Sequence, residues 1–152
     1  MGKRVEDVLT ALKGAFDSAG WHGPTVLESI AGVTAAQAKK RPAGAHHSVH
    51  ELVDHIAFWE RAAIRYLKTG RAPARPEREW ASPRTNFGTS VRRLKDAHRA
   101  LVTEVACLRE TDLDRSVKTD GSGAMPLASV LHGVAAHAAY HAGQIRLIRT
   151  LL

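Results

Sequence analysis

The sequence predicts an all-α protein, a four-helix bundle, and three observations carry that expectation. Four segments place apolar residues at steps of three and four, the spacing that lines one face of a helix. Glycine- and proline-containing stretches fall between these four patterns, where they punctuate the chain. No segment alternates apolar and polar residues at period two over a useful length, so nothing reads as a half-buried strand. The 152 residues fit one helical domain over 1–152, and a domain of that size buries roughly 68–70% of the surface its unfolded chain exposes.

In the first helix, residues 4–18, the buried face is Val5, Val8, Leu9, Leu12 and Phe16, and Gly20 ends it. The connection that follows, WHGPTVLESIAGVTAAQAKKRPAGAHH, holds short helical pieces. Pro24 suits a first-turn position, Thr34 caps Ala35 to Ala38, and Pro42 stops continuation.

Ser48 and Glu51 announce the second long helix as an S-x-x-E capping box, in which each side chain satisfies an otherwise unpaired N–H of the first turn. Its stripe is Val49, Leu52, Val53, Ile56, Ala63 and Leu67, and Gly70 closes it. Residues 71–84, rich in proline and arginine, read as loop. The third helix runs from about Asn86 to Arg109 on Val91, Leu94, Ala97, Leu101, Val105 and Leu108. Cys107 on that helix reads as a packing residue ahead of a reactive one. Residues 110–125 read as a second loop, with Asp120, Gly121, Ser122 and Gly123 as turn chemistry. The last helix extends from about Pro126, placed at its first position, to the chain end.

The seam of that last helix is Val130, Val134, His137, His141, Ile145, Ile148 and Leu152. Two imidazoles thus stand where apolar side chains are expected. Residues i and i+4 share a helix face, so both rings can point at one spot. His55, one turn after Leu52 and one turn before Trp59, lies on the shoulder of the second helix's buried face and points inward. Three imidazoles sharing a bundle core repel one another when protonated and lack enough donors when neutral; a bound cation resolves the conflict. Three nitrogens and a water describe an open, catalytic-type zinc site. Nickel, iron and manganese also accept imidazole.

The chain has nine histidines, and the other six read differently. His22, His46 and His98 fall in loop or on an exposed face. His50 and His132 each stand five residues before a candidate ligand, which turns them about 140° away from it. His47, just before the cap serine, is a candidate for a pocket mouth. Glu51, one turn before His55, is the nearest carboxylate for proton transfer, although its capping role already accounts for it. Gln144 either orients a ligand or bound water, or packs between helices. Trp59 and Tyr140 either wall a pocket or pack in the core or an interface.

Composition bounds the partners. The net charge of +7 raises nucleic acid as a partner, but the excess is scattered over Lys39–Arg41, Arg71, Arg75, Arg78 and Arg92–Lys95, with no recognition signature. Specific nucleic-acid binding is therefore not expected. A single cysteine rules out an intrachain disulfide and suits a reducing compartment. The N-terminal stretch contains acids and has no continuous apolar core, so a cytoplasmic protein without a membrane span is expected.

On two motifs, SVHELVDHIAFWERA and HAAYHAGQIRLIR, the chain resembles the DinB-like family, grouped with the YfiT-type metalloenzymes. The second motif matches the family's H-x-x-x-H-x-G-Q-I ending. The segment GPTVLESIAGVTAAQAKKRP also looks like the connection between the family's first two long helices. The resemblance implies an up-down-down-up bundle, commonly dimeric, that holds a divalent metal with three histidines; carried onto this chain these are His55, His137 and His141. It further implies a metal-dependent enzyme that activates a low-molecular-weight thiol or water, of thiol transferase or hydrolase type, acting on a small-molecule substrate. The competing expectation is a non-catalytic, metal-binding dimer serving as a stress or sensing module. His47 departs from the family, where an aromatic residue commonly precedes the cap serine.

Overall fold

The structure, a computed structural model, describes residues 2–18, 20–72, 78–119 and 123–152. Its elements are α1 (Lys3–Phe16), α2 (Val26–Ile30), α3 (Ala35–Lys39), α4 (Val49–Thr69), α5 (Phe87–Ala106), a 3-10 turn (Glu110–Asp114), β1 (Ser116–Thr119), β2 (Gly123–Pro126) and α6 (Leu127–Thr150). The four long helices α1, α4, α5 and α6 are the four that the apolar periodicity predicts. Both α1 and α4 pack against both α5 and α6, which closes the four into a ring around one core. Leu12, Leu52, Ile56, Leu94, Leu101, Leu131 and Ile145 are all buried in it. Each such side chain contributes roughly 1.5–3 kcal/mol relative to full exposure.

The caps are local and visible in the sequence. Ser48 Oγ accepts from the Glu51 N–H at 3.3 Å, while the Ser48 N–H donates to Glu51 Oε2 at 2.8 Å. Thr34 caps α3 in the same reciprocal way with Gln37, and Thr25 caps α2 with Glu28; Pro24 therefore precedes that cap and is not in the first turn. Gly70 ends α4 in the left-handed region at φ 67°, a conformation that costs an L side chain roughly 1–2 kcal/mol.

Several boundaries and one element differ from expectation. Helix α1 stops at Phe16, with Asp17 as its C-cap. Helix α5 stops at Ala106, so Cys107 is an exposed cap residue and not a packing one. Pro126 is the N-cap of α6, and Leu152, expected in the seam, lies exposed beyond the helix end. Residues 110–125, expected as loop, hold the 3-10 turn and an antiparallel hairpin that pairs Val117 with Met125. Its strands have four residues each, and in β1 only Val117 is buried, too few alternations for period two to register. Backbone bonds from Lys118 N–H to Gly70 C=O (2.8 Å) and from Ala72 N–H to Lys118 C=O (2.9 Å) tie the hairpin to the end of α4. The predicted turn residues Asp120, Gly121 and Ser122, with Arg75, lie outside the described residues.

Candidate metal centre

Because α4 packs on α6, the inward face of α4 at His55 meets the two imidazoles of α6. His55 Nε2 lies 3.0 Å from His137 Nε2, and His141 Nε2 lies 2.9 Å from the same atom. One nitrogen from each ring falls within 4.8 Å of the other two. Tetrahedral metal–imidazole sites, with bonds of about 2.0–2.1 Å, hold their nitrogens about 3.3 Å apart. The cluster fits a divalent cation in both spacing and donor type.

The outer ring nitrogens decide what the inner ones present. His55 Nδ1–H donates to the carbonyl of Glu79 at 3.2 Å. His141 Nδ1–H donates to Gln144 Oε1 at 2.6 Å, and the Gln144 amide donates in turn to Tyr140 Oη at 2.8 Å. Both rings are thereby fixed in the tautomer whose Nε2 carries a lone pair. A neutral His137 has at most one Nε2–H to share between them, so at least one close pair sets lone pair against lone pair. A cation at the centre removes that repulsion, and the carbonyl and amide behind the rings are the outer partners that metal-binding imidazoles use.

Electrostatics keep the rings unprotonated. Burial pushes His55 down to about 4; the Glu79 carbonyl opposes the shift, and the nearby His141 and His47 add to it. Burial pushes His137 down to about 3, reinforced by His141 and His55. His141 is lowered by burial against the opposing bond to Gln144. Near neutral pH all three present lone pairs, the state that a metal requires.

Two residues that sequence reasoning missed complete the wall. Trp80 stacks on His55 at 3.7 Å between ring centroids and on His47 at 3.6 Å, forming a three-ring sandwich. Glu79 holds His55 through its carbonyl and accepts from Trp59 Nε1 through its carboxylate at 2.8 Å. Both lie in the proline- and arginine-rich connection, which has no periodicity to reveal an inward side. Trp59 stands edge-on to His55 and His137, so it does wall the site. Tyr140 is exposed and acts through Gln144.

Other candidates resolve differently. Glu51 accepts from the Arg41 guanidinium and from Ser48. Burial would raise its carboxyl, but these bonds outweigh it and hold the group below its ordinary value. A carboxylate so engaged is an anchor and a poor proton shuttle. His50 is buried on Ser90 at 2.9 Å, away from the cluster, and His132 is exposed, as the helical angle predicts. His98, expected on an exposed face, is instead buried: its Nδ1 meets Glu60 at 3.0 Å and its ring stacks on Phe16 at 3.7 Å. The signal was present, since Leu94, His98, Leu101 and Val105 step by four, three and four. Two cavities lie among the residues around the cluster, and only the second reaches one of the three imidazoles, His137. One of about 270 Å³ is lined by His46, His47, Leu52 and Gln144; the other, about 290 Å³, is lined by His137, Trp59, Tyr66 and Met125.

The DinB superfamily model matches residues 18–145, and the chain belongs to that superfamily. Among solved structures it is similar to a DinB-like protein, YjoA, from Bacillus subtilis. The TM-score is 0.63 at 19% identity, over 98% of this chain and 91% of that one. No curated protein matches the chain. Among the described residues no helix is long and apolar enough to cross a membrane.

Proposed function

We propose that this protein binds a divalent metal, zinc or nickel in the first instance, through His55, His137 and His141, and is a metal-dependent enzyme. The observation that carries the reading is the convergence of three Nε2 atoms, two of them held as lone pairs by Glu79 and Gln144. A metal held by three protein ligands keeps a position open and lowers the pKa of a bound water or thiol, which supplies a nucleophile near neutral pH. The chemistry proposed is accordingly thiol transfer or hydrolysis on a small molecule, with a low-molecular-weight thiol or water as the activated group. The cavity that reaches His137 favours this over a closed structural site. A homodimer in the cytoplasm completes the proposal, and exposed Tyr140, Leu147 and Leu151 on or just beyond α6 offer an apolar face for it.

Cobalt substitution tests the ligand set. The purified chain should take up one Co²⁺ with the visible bands of a low-coordinate site, and His55→Gln, His137→Gln and His141→Gln should each weaken uptake at least tenfold. Uptake well below one metal per chain, or three variants indistinguishable from wild type, would reject it. A panel of electrophiles and esters, with and without thiols, then separates an enzyme from a non-catalytic sensing module.

A further inference from the structure

The cavity beside His137 has a composition that selects what enters it. Its walls are Trp59 and Tyr66 from α4, Thr119 and Met125 from the hairpin, and Ser129, Val130, Gly133, Val134 and His137 from α6. None of these carries a formal charge, in a chain whose net charge is +7. The polar edge of Trp59 is already engaged by Glu79 and the Thr119 hydroxyl by the Gly123 carbonyl. What remains, besides the Ser129 and Tyr66 hydroxyls, is aromatic ring, thioether and branched aliphatic surface, with one imidazole of the histidine cluster.

An ion moved into such surroundings loses hydration and meets no opposite charge on the walls, whereas an apolar body gains transfer free energy for the area it buries there. Size narrows the choice further. The volume of about 290 Å³ is roughly twice that of a cavity known to accept benzene, about 150 Å³.

We infer that this cavity binds an uncharged substrate with a compact aromatic or short aliphatic body, seated between Trp59, Met125 and Val134 with its reacting group toward His137. The inference rests on the metal-site reading for its chemistry, but the cavity itself does not require the metal. The hairpin is the specificity element, because Met125 and Thr119 are the walls that no helix supplies. Gly133 is the place to block it: a side chain there meets open space, so a leucine fills the cavity without crowding the helix.

Titration of 4-fluorobenzamide and 4-fluorobenzoate, followed by fluorine NMR on metal-free and zinc-loaded protein, tests this. The two probes have nearly the same shape and differ in charge. The neutral amide should bind the metal-free protein at least tenfold more tightly than the benzoate, against the pull of the positive net charge. Gly133→Leu and Met125→Glu should each weaken the amide at least tenfold while zinc uptake stays at the wild-type level. Amide binding that both variants block, in a protein that takes up no zinc, would uphold the cavity and reject the metal site. Preference for the benzoate without metal, no binding of either probe, or equal amide binding by wild type and both variants would overturn the inference.

Discussion

Acidifying the metal-free protein from about pH 7 to about pH 5 is expected to remove on the order of 4 kcal/mol of stability through two histidines. His55 and His137 titrate near 6.5 when unperturbed and are pushed down to about 4 and about 3 in the folded chain. Above 6.5 both states leave the rings neutral and no difference arises. As pH falls below that value, the unfolded chain takes up protons that the folded chain refuses, so stability is lost down to each folded value. At about pH 5 this amounts to about 2 kcal/mol for each ring, at 1.36 kcal/mol per unit. That is a large share of the 5–15 kcal/mol typical of a domain. Other groups contribute as well: His50 is also lowered by burial, and Glu60 is raised by it. The informative quantity is therefore a difference of differences. Urea unfolding of wild type and His137→Gln at both pH values should show the variant losing about 2 kcal/mol less. Equal losses in the two proteins would refute the claim that burial of unprotonated imidazoles at the cluster governs acid stability.

Other substitutions probe separate parts of the argument. Gln144→Ala frees the outer nitrogen of His141 and should lower zinc affinity about 10–100-fold, measured by competition with a chelating dye; unchanged affinity would assign Gln144 to packing. Glu60→Ala leaves the buried Nδ1 of His98 without its partner and should destabilise the fold by about 1–3 kcal/mol in urea titration, while a change within about 0.5 kcal/mol of zero would contradict the pairing. Ser48→Ala removes the cap of α4 and should cost about 1 kcal/mol. A neutral result by the same measurement would mean that Glu51 and Arg41 hold that helix end without it.

The long helices were legible because each buries one stripe, and a stripe on a helix has a period that sequence displays. Val5, Val8, Leu9, Leu12 and Phe16 marked α1, and Ser48, Glu51 and Gly70 marked both ends of α4. The same periodicity showed His137 and His141 on one face, and its shoulder position put His55 inward. It failed where packing partners were not periodic. His98 sits in the apolar stripe of α5, so its inward side was legible, but its partners Glu60 and Phe16, brought from two other helices, were not. The strands Ser116–Thr119 and Gly123–Pro126 are too short to show a period, and the bonds that tie them to Gly70 and Ala72 join distant parts of the chain.

By itself, then, the sequence determined the long helices, the caps at Thr34 and Ser48 and the three imidazoles, because each of these follows from neighbours within a few residues along the chain. Only the tertiary structure decided that the three Nε2 atoms meet, that Glu79 and Gln144 fix two of them as lone pairs, and that Trp80 closes over His55. Those relations join residues up to 86 positions apart, as His55 and His141 are, and depend on how α4 crosses α6 and where the connecting segment folds back. No local spacing encodes that. The uncharged cavity beside His137 belongs to the same class, since its walls come from two helices and a hairpin that meet only once the chain has folded.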